Sequence, residues 1–450
     1  MTAPFRETRG LMKRRNFLKT SAASALAAPT IIPSSVLGAD APSNQITLGL
    51  IGCGGQGTGN LRNLMGKSGT RGIAVCDPDK NNMNRARDHV NQKNGNKDCE
   101  TFTDFRDLCA MKDLDAVIVG TPDHWHSLAC LEALNNKKDV YCEKPITHLF
   151  AEGQAVYKAA AKNKAIFQVG SQQRSSSRMR VAAEAVMNGV LGKIKEVKVG
   201  LPTGGGTNEE GKVAQPIPDH LDYDLWCGPS RMLPFHPKRL HWNWRWCLDY
   251  GGGQLMDWIG HHNDIAHWGL EMDKSGPIKV EAKGFRYHGK GMYDQPLDYT
   301  VVSEYAGGYT VTLSNKHKMG KDKNRSMGTE WHGENGWIYV DRGRIEASNK
   351  DWIIEKNDRG PKKAYKAVGG HHQNFIDGIR TRKDCICTAE TGHRSATPGH
   401  IGYVSDKLGR AIKWDPAKEE CVGDAEADKL LKTVNYTGDW KFEAYFPILK

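Results

Sequence analysis

The sequence predicts an α/β protein of two domains, on the basis of three observations. Strand-like apolar segments alternate regularly with helix-like segments from residue 46 to residue 165, which is the pattern of a parallel sheet. A glycine-rich turn directly follows the first of these strands. After residue 165 the rhythm changes to longer segments with alternating polarity. At 450 residues the chain is long enough for two such domains, which we assign to residues 42–165 and 166–450.

Composition excludes several classes of protein. The hydrophobic fraction of 38% is too high for a disordered chain, and no uninterrupted apolar run of about 18 residues is present. The formal net charge is +11, but part of it lies in residues 1–41, and the remaining Lys and Arg are mixed with acidic residues. We therefore expect no nucleic-acid partner and no integral membrane segment in the mature chain.

Residues 1–41 have the features of a twin-arginine export signal. Arg14 and Arg15 precede Asn-Phe-Leu-Lys and a weakly hydrophobic stretch rich in Ala and Ser, and small residues follow at Ala39–Ala41. The alternative is an ordinary helix start with two arginines. The signal predicts that the twin-arginine machinery exports the folded protein to the periplasm. The eleven cysteines lack C-x-x-C pairs, so we expect buried free thiols.

The glycine-rich turn has the spacing of a dinucleotide-binding loop. The buried strand Ile46–Ile51 runs directly into it, and a helix-compatible segment follows. Glycines at these positions let the backbone approach a pyrophosphate, while the helix N-terminus supplies N–H donors. This context predicts a Rossmann domain. The residues expected to contact the cofactor in this turn are Gly52, Gly54, Gly55, Gln56 and Gly57.

The second predicted strand, Ile73–Cys76, ends in Asp77. A carboxylate at this position accepts a hydrogen bond from the adenosine ribose 2′-hydroxyl and repels a 2′-phosphate, which favours NAD over NADP. Arg85 and Arg87 follow downstream, so NADP stays open as an alternative. The other interpretation of Asp77 is a turn residue that ends the strand before Pro78.

Two more polar clusters follow predicted strands. Thr121–His126 comes after the strand Asp115–Val119, and Glu143–Pro145 comes after Lys138–Cys142. Ligands of open parallel sheets bind at the carboxyl ends of the strands, where these clusters meet. The residues of the two clusters expected to contact the cofactor are Thr121, Pro122, His126, Glu143 and Lys144.

The order of these motifs resembles the glucose–fructose oxidoreductase/inositol dehydrogenase family, known as Gfo/Idh/MocA. The motifs are the glycine loop, Thr-Pro-x-x-x-His and Glu-Lys-Pro, and the resemblance extends to Gly251–Asp264 and His371–Pro416. It implies a C-terminal α/β domain with a large, mainly antiparallel sheet. In relatives this sheet often forms an oligomer interface, so the resemblance also implies a homo-oligomer.

The pattern after residue 165 fits this second domain. Two terminal segments have helical patterning, Asn374–Arg380 and Tyr403–Lys413, and we expect the terminal helices to pack back on the first domain. The segments predicted as strands are Lys193–Leu201, Ile278–His288, Tyr299–Ser314 and Trp337–Glu346.

A predicted helix, Leu255–Trp268, places Asp257 and His261 four residues apart on one face. A carboxylate that holds an imidazole in one tautomer suits a general base. The resemblance implies that Lys144, Asp257 and His261 are the catalytic set. His261 would take a hydroxyl proton as hydride leaves for the nicotinamide, Lys144 would stabilise or relay that proton, and Asp257 would orient His261.

Two alternatives for this helix stay open. In the first, His261 has only a structural role. In the second, it forms a metal site with His262 and Asp264. Adjacent histidines on a helix diverge by about 100°, so they do not readily ligate one ion, and we expect no metal.

Candidate substrate residues follow from the chemistry of sugars. Aromatic rings pack on sugar C–H groups and arginines bind hydroxyls, and the alternative is that the tryptophans form a domain-interface core. Gln172–Arg174 departs from the Asn-Arg-Arg-type residues of relatives, which leaves the sugar open. The candidates are Arg174, Trp244, Arg245 and His262.

These observations lead to one main functional hypothesis and two alternatives. The main hypothesis is an exported NAD(P)-dependent oxidoreductase that acts on the CH–OH groups of a sugar, polyol or related carbohydrate with a tightly bound nicotinamide cofactor. The first alternative is a redox-neutral, NAD-dependent glycosidase or lyase that uses transient oxidation. The second is a non-catalytic sugar-binding protein on the same fold.

Overall fold

Six strands form the parallel sheet of the first domain in the computed structural model, which describes residues 44–206 and 213–448. The predicted export signal therefore lies outside the described residues. The strands are β1 (Ile46–Ile51), β2 (Thr70–Cys76), β3 (Glu100–Phe102), β4 (Ala116–Val119), β5 (Asp139–Cys142) and β6 (Phe167–Val169). Strand β6 begins at Phe167, just beyond the predicted domain boundary at residue 165, and belongs to the sheet of the first domain.

The strand order is β3-β2-β1-β4-β5-β6, and all neighbouring pairs are parallel. Successive strands are added on one side of β1 as far as β3 and on its other side from β4 onward, so the order switches between β1 and β4. Every residue of β4 and β5 is buried because helices cover both faces of the sheet. These helices are α1 (Gly55–Met65), α2 (Lys80–Asn94), α3 (Phe105–Cys109), α4 (Asp123–Asn135) and α5 (Phe150–Asn163).

Nine strands form the sheet of the second domain. They are β7 (Ile194–Gly200), β8 (Lys279–Tyr287), β9 (Pro296–Glu304), β10 (Thr310–Ser314), β11 (Gly328–Gly333), β12 (Trp337–Val340), β13 (Ile345–Ala347), β14 (Ile412–Asp415) and β15 (Glu420–Cys421). Their order is β13-β12-β11-β7-β10-β9-β8-β14-β15. All neighbouring pairs are antiparallel except β7 and β10. The predicted fold class is therefore confirmed.

The central helix of the second domain packs on this sheet. Leu255 and Ile259 of the central helix share a core with Val197, Val301 and Trp331 from the strands. None of the described helices is long and apolar enough to cross a membrane. The helices are α6 (Ser177–Met187), α7 (Tyr223–Cys227), α8 (Gly253–Gly269), α9 (His371–Thr381), α10 (Ala389–Leu408) and α11 (Ala425–Lys432).

The end of the chain packs against the first domain. Phe375 and Ile376 of α9 belong to a core cluster built largely from β1 and α1. Further on, the ring of Trp440 meets that of Trp125 edge-on, with ring centres 4.8 Å apart. All eleven cysteines are buried and free, as expected from their spacing.

One terminal prediction is wrong. Helix α10 ends at Leu408, and the chain then forms strand β14, whereas Tyr403–Lys413 was expected to be a helix. Gly409 has a left-handed backbone with φ of 65°, which terminates the helix. Ile412 and Trp414 are buried and Lys413 is exposed, which is the alternation of a strand, and this strand pairs with β8.

A buried ion cluster fastens α8 to the segment after β6. The guanidinium of Arg174 contacts the carboxylates of Asp264 and Asp273, each at 2.7 Å, and its side chain is only 1% exposed. Removing one partner from such a cluster leaves uncompensated buried charge, which is strongly destabilising.

We expect Arg174→Met to lower the free energy of unfolding by about 3–5 kcal/mol, because two carboxylates lose their cation. Urea and thermal unfolding followed by circular dichroism would measure the loss. Arg178→Met, at an exposed arginine four residues along, is the matched control and should have little effect. Equal stability of the two variants would contradict this account of the cluster.

Candidate active site

A cavity of about 1020 Å³ lies at the carboxyl edge of the first sheet and extends to α8. It begins where the strand order reverses between β1 and β4, the usual ligand position in open α/β sheets. Both domains line it. Loops after β1, β2, β4 and β5 contribute one side, while α8 and the segment before it contribute the other.

The glycine loop leaves room for a ligand at two positions. A Cβ at Gly52 would lie 2.6 Å from the backbone of Gly120, and one at Gly57 would lie 2.1 Å from the oxygen of Gly52, so close packing requires both glycines. A Cβ at Gly54 or Gly55 would meet nothing within 4 Å. Helix α1 begins here without a side-chain cap or an acidic residue in its first turn. Its free N–H groups fit a dinucleotide pyrophosphate.

Asp77 also lines the cavity. Its two carboxylate oxygens accept hydrogen bonds from the backbone N–H groups of Cys53 at 2.6 Å and Asp79 at 2.8 Å. Burial raises the pKa of Asp77 to about 7. Arg85, which bonds to Asn82, lines the same end of the cavity.

Two strand-end residues connect the loops of the cofactor side. His126 places its ring nitrogens 2.7 Å from the oxygen of Pro145 and 3.1 Å from that of Thr121, so its ring joins the two loops. Glu143 accepts hydrogen bonds from the side-chain amides of Gln56 at 2.9 Å and Asn60 at 2.7 Å. Both residues therefore position the loops around the cavity.

Thr121 and Pro122 line the cavity at the start of α4. The hydroxyl oxygen of Thr121 is buried, and it has no hydrogen-bond partner among the described residues. A buried polar group without a partner is costly, so this hydroxyl fits a ligand with a donor or acceptor at that point.

Lys144, Asp257 and Arg245 form one charged group on the other side of the cavity. The ammonium of Lys144 donates to the carboxylate of Asp257 at 2.8 Å and to its backbone oxygen at 2.9 Å. The same carboxylate oxygen accepts a bond from Nε of Arg245 at 2.9 Å. Burial alone would raise the pKa of Asp257, but Lys144 and Arg245 hold it below its usual value.

His261 lies one turn after Asp257 on α8 and lines the same cavity. Its Nδ1 is buried, and its ring makes no hydrogen bond with any residue that the structure describes. The ring packs edge-on against Trp258, with centres 5.0 Å apart. Burial, together with the nearby Lys144 and Arg342, lowers the pKa of His261 well below its usual value, so the imidazole is neutral.

The predicted bond between Asp257 and His261 is wrong. The helix does place both side chains on the cavity, but the carboxylate of Asp257 turns to Lys144 and Arg245. Two cations attract a carboxylate more strongly than a neutral imidazole does. Asp257 therefore orients Lys144 rather than His261.

The substrate candidates divide into two pairs. Trp244 and Arg245 line the cavity. The guanidinium carbon of Arg245 lies 4.3 Å from the centre of the Trp242 ring and 4.4 Å from that of the Trp244 ring. Arg174 and His262 do not line the cavity. The ion cluster with Asp264 and Asp273 holds Arg174 in the interior, and His262 is 1% exposed, with its Nδ1 3.3 Å from the side-chain nitrogen of Gln173. Their assignment to the substrate is therefore corrected.

Several lining residues were not among the candidate site residues chosen from the sequence. Trp258 could have been found, because it adjoins Asp257 on a helix that enters the site. Arg342 could not, because it comes from the hairpin between β12 and β13, far along the chain. The unexpected residues on this side are Asp123, Gln172, Gln173, His241, Trp242, Trp258 and Arg342.

A segment between β7 and α8 covers the Asp77 end of the cavity. Leu221, Leu225 and Trp226 line the cavity from this segment, which we name the cap and define as residues 213–250. Backbone hydrogen bonds tie the cap to the first domain, from Lys80 to His220 at 2.9 Å and from the cap to Pro78 at 3.0 Å.

The chain matches the models of two protein domains. The NAD-binding Rossmann fold of an oxidoreductase family matches residues 46–171, and the C-terminal alpha/beta domain of the same family, named GFO_IDH_MocA, matches residues 177–442.

Relatives and a solved structure agree with these matches. An inositol 2-dehydrogenase of Rubrobacter xylanophilus is 32% identical over 152 residues, which cover 33% of this chain and 42% of the relative. The chain thus spans less than half of that relative. A myo-inositol 2-dehydrogenase of Thermotoga maritima is 22% identical over 372 residues, covering 81% of this chain and 95% of the relative.

The WlbA dehydrogenase of Bordetella pertussis, solved with NADH and UDP-GlcNAcA, has the same fold. It shares 18% identity and a TM-score of 0.59, covering 82% of this chain and 99% of that one. Since the C-terminal model alone covers more than half of the sequence, this chain belongs to the Gfo/Idh/MocA oxidoreductase family.

Proposed function

We propose that this protein is an NAD-dependent oxidoreductase that transfers a hydride between a CH–OH group of a sugar, polyol or related carbohydrate and a tightly bound nicotinamide cofactor. One observation carries the proposal. A single cavity joins a loop that fits a dinucleotide to the neutral imidazole of His261 beside the paired Lys144 and Asp257.

The first domain supplies the residues that would hold the cofactor. The open positions at Gly54 and Gly55, at the start of α1, suit the pyrophosphate, and Asp77 suits the adenosine ribose. When bound, NAD supplies the acceptor for the hydride. The carboxylate of Asp77 favours NAD over NADP, while Arg85 at the same end of the cavity keeps NADP in consideration.

Residues of α8 and of the loop after β5 would accept and stabilise the proton. The neutral ring of His261 can accept the proton of a substrate hydroxyl, and the ammonium of Lys144 can donate a hydrogen bond to the developing alkoxide. Asp257 holds that ammonium in place through two hydrogen bonds. Burial and the nearby cations, which together lower the pKa of His261, also favour release of the proton after each turnover.

The cap supports tight retention of the cofactor. Leu221 and Trp226 line the cavity beside Asp77, and the cap is hydrogen-bonded to the first domain at Lys80. A dinucleotide would have to break these contacts to leave. The bound cofactor would then be restored by a second substrate rather than exchanged.

Export and assembly are further parts of the proposal. The twin-arginine motif at Arg14 and Arg15 supports export of the folded protein to the periplasm. A cofactor that stays bound suits this route because it can be inserted before export. The resemblance to oligomeric relatives supports a homo-oligomer.

His261→Ala should retain bound NAD but lose turnover by on the order of 10²–10⁴-fold, because a positioned proton acceptor is removed. Aldoses, polyols and aryl glycosides would be tested as substrates, with the rate of reduction of the bound nicotinamide and the release of aglycone followed separately. His288→Ala, at an exposed histidine, is the control. Near-wild-type turnover of His261→Ala would exclude this base, and aglycone release without net reduction would favour the redox-neutral glycosidase.

The affinity for NAD should rise with pH through about 7, because Asp77 carries its raised pKa there and only its ionised form accepts strong bonds from ribose hydroxyls. Protonation below that pH removes the negative charge, so binding weakens as pH falls. Calorimetric titration of nucleotide-free protein would measure this profile. Asp77→Asn should flatten it, and Asp77→Ala should weaken NAD more than NADP. A wild-type preference for NADP would exclude this assignment.

The double variant Arg14→Lys/Arg15→Lys should remain in the cytoplasm, folded and loaded with cofactor, because the motif is read by a receptor. Cell fractionation and the nucleotide content of the purified protein would test this. Replacement of Lys13 and Lys19 by Arg preserves charge and is the control. Arrival of the double variant in the periplasm would refute the twin-arginine interpretation.

A further inference from the structure

Arg342 is held over the cavity by the hairpin between β12 and β13. The carboxylate of Asp341 accepts bonds from the N–H groups of Gly343 at 2.7 Å and Arg344 at 2.6 Å, which fixes the turn. Nε of Arg342 donates to the side chain of Gln173 at 2.8 Å. Its guanidinium lies 4.6 Å from the centre of the Trp258 ring, on the same helix as His261.

The guanidinium of Arg342 still has donors to offer. Within residues 44–206 and 213–448, it forms no ion pair, and Nε is its sole hydrogen-bonding atom. Arg245 differs because its donors already bind Asp257 and the backbone oxygen of Trp242. Of the two arginines near His261, Arg342 is therefore the one that can present both terminal nitrogens to a ligand.

The charges around His261 are unbalanced. Lys144, Arg245 and Arg342 all lie close enough to lower its pKa, and the carboxylate of Asp257 pairs with the first two.

Of the other carboxyl groups on the cavity, Asp77 and Asp79 line the end that the cap covers, and Asp123 and Glu143 do not restore the balance. Burial raises the pKa of Asp123 well above its usual value, and even an ionised Asp123 would leave three cations facing two carboxylates. Glu143 faces the side-chain amides of Gln56 and Asn60 on the glycine-loop side. The part of the cavity next to His261 therefore carries excess positive charge.

We propose that the carbohydrate substrate carries an anionic group, a carboxylate or a phosphate, which the guanidinium of Arg342 binds. The inference rests on the proposed function, since it names the substrate class of the same site. A planar guanidinium matches either group with two parallel hydrogen bonds, whereas a neutral hydroxyl balances no charge. The cation–π contact with the ring of Trp258 helps to hold the guanidinium at the cavity.

The test compares sugars that differ at one carbon. Glucose, glucuronate and glucose 6-phosphate, with their galacto and manno counterparts, would be given to the cofactor-loaded protein. Reduction of the bound nicotinamide gives kcat/KM, and calorimetry gives the affinity of each sugar. We expect the uronate or the phosphate to exceed its neutral counterpart, and the two arms distinguish carboxylate from phosphate.

Arg342→Gln should lower the ratio of kcat/KM for the anionic sugar over the neutral one by on the order of 10- to 100-fold, because a charge-assisted pair is lost. Arg342→Lys should retain part of the ratio because it keeps the charge without the two-pronged geometry. Arg344→Gln is the matched control, since Arg344 lies two residues away, pairs with Glu346 and does not line the cavity. Its ratio should equal that of the wild type.

Two results would overturn the inference. One is a neutral sugar that matches or exceeds both anionic sugars in the wild type, and the other is an unchanged ratio in Arg342→Gln. If no sugar reduces the cofactor, the proposed function fails, and calorimetry still decides the inference. Anionic sugar that binds more tightly than neutral sugar and loses this advantage in Arg342→Gln supports it, while equal binding, or none, overturns it.

Discussion

The carboxylate of Asp257 is the point on which the rest of the site depends. It receives Lys144 from the end of β5 and Arg245 from the segment before α8, so one buried group joins the two domains. Loss of that carboxylate would leave two buried cations facing one another, which is far more costly than the pair itself is stabilising. The ion pairs thereby fix the distance between the sheet edge and α8.

Several properties of the cavity follow from this junction. His261 is one turn further along α8, so fixing Asp257 also fixes the imidazole. Burial is the main reason that the pKa of His261 is low, and the two cations drawn in by Asp257 lower it further, since another positive charge beside them is unfavourable. A carboxylate that appears in the sequence as the partner of the histidine thus acts on it at a distance, through the cations that it gathers.

The scaffold separates the tasks of the site. In the first sheet β2, β1, β4 and β5 are neighbours, so the glycine loop, Asp77 and Glu143 lie at the same edge. The second sheet supplies the face on which α8 packs. The cap crosses from the second domain to the first and covers the end of the cavity next to Asp77. The cap contributes to both ends of the cavity, since its backbone bonds to Pro78 and Lys80 while its Arg245 pairs with Asp257.

Much of this could be predicted from local pattern. The β/α rhythm, the glycine turn, Asp77 and the Thr-Pro-x-x-x-His and Glu-Lys-Pro clusters are contiguous motifs. Parallel topology brings their strand ends together without further information. The sequence also predicted a helix that carries Asp257 and His261. Their four-residue spacing then placed both side chains on one face of that helix.

Other features were decided by the tertiary structure, because they depend on contacts between distant positions. Lys144 and Asp257 are 113 residues apart, and Arg342 reaches Gln173 across 169 residues. Arg174 has the donors that a substrate ligand needs, yet it is buried and pairs with Asp264 and Asp273 instead. Local sequence determines which chemical groups are available and on which element they stand. The choice among competing partners for each charge is made only when the domains pack, since the strength of an ion pair depends on distance and burial.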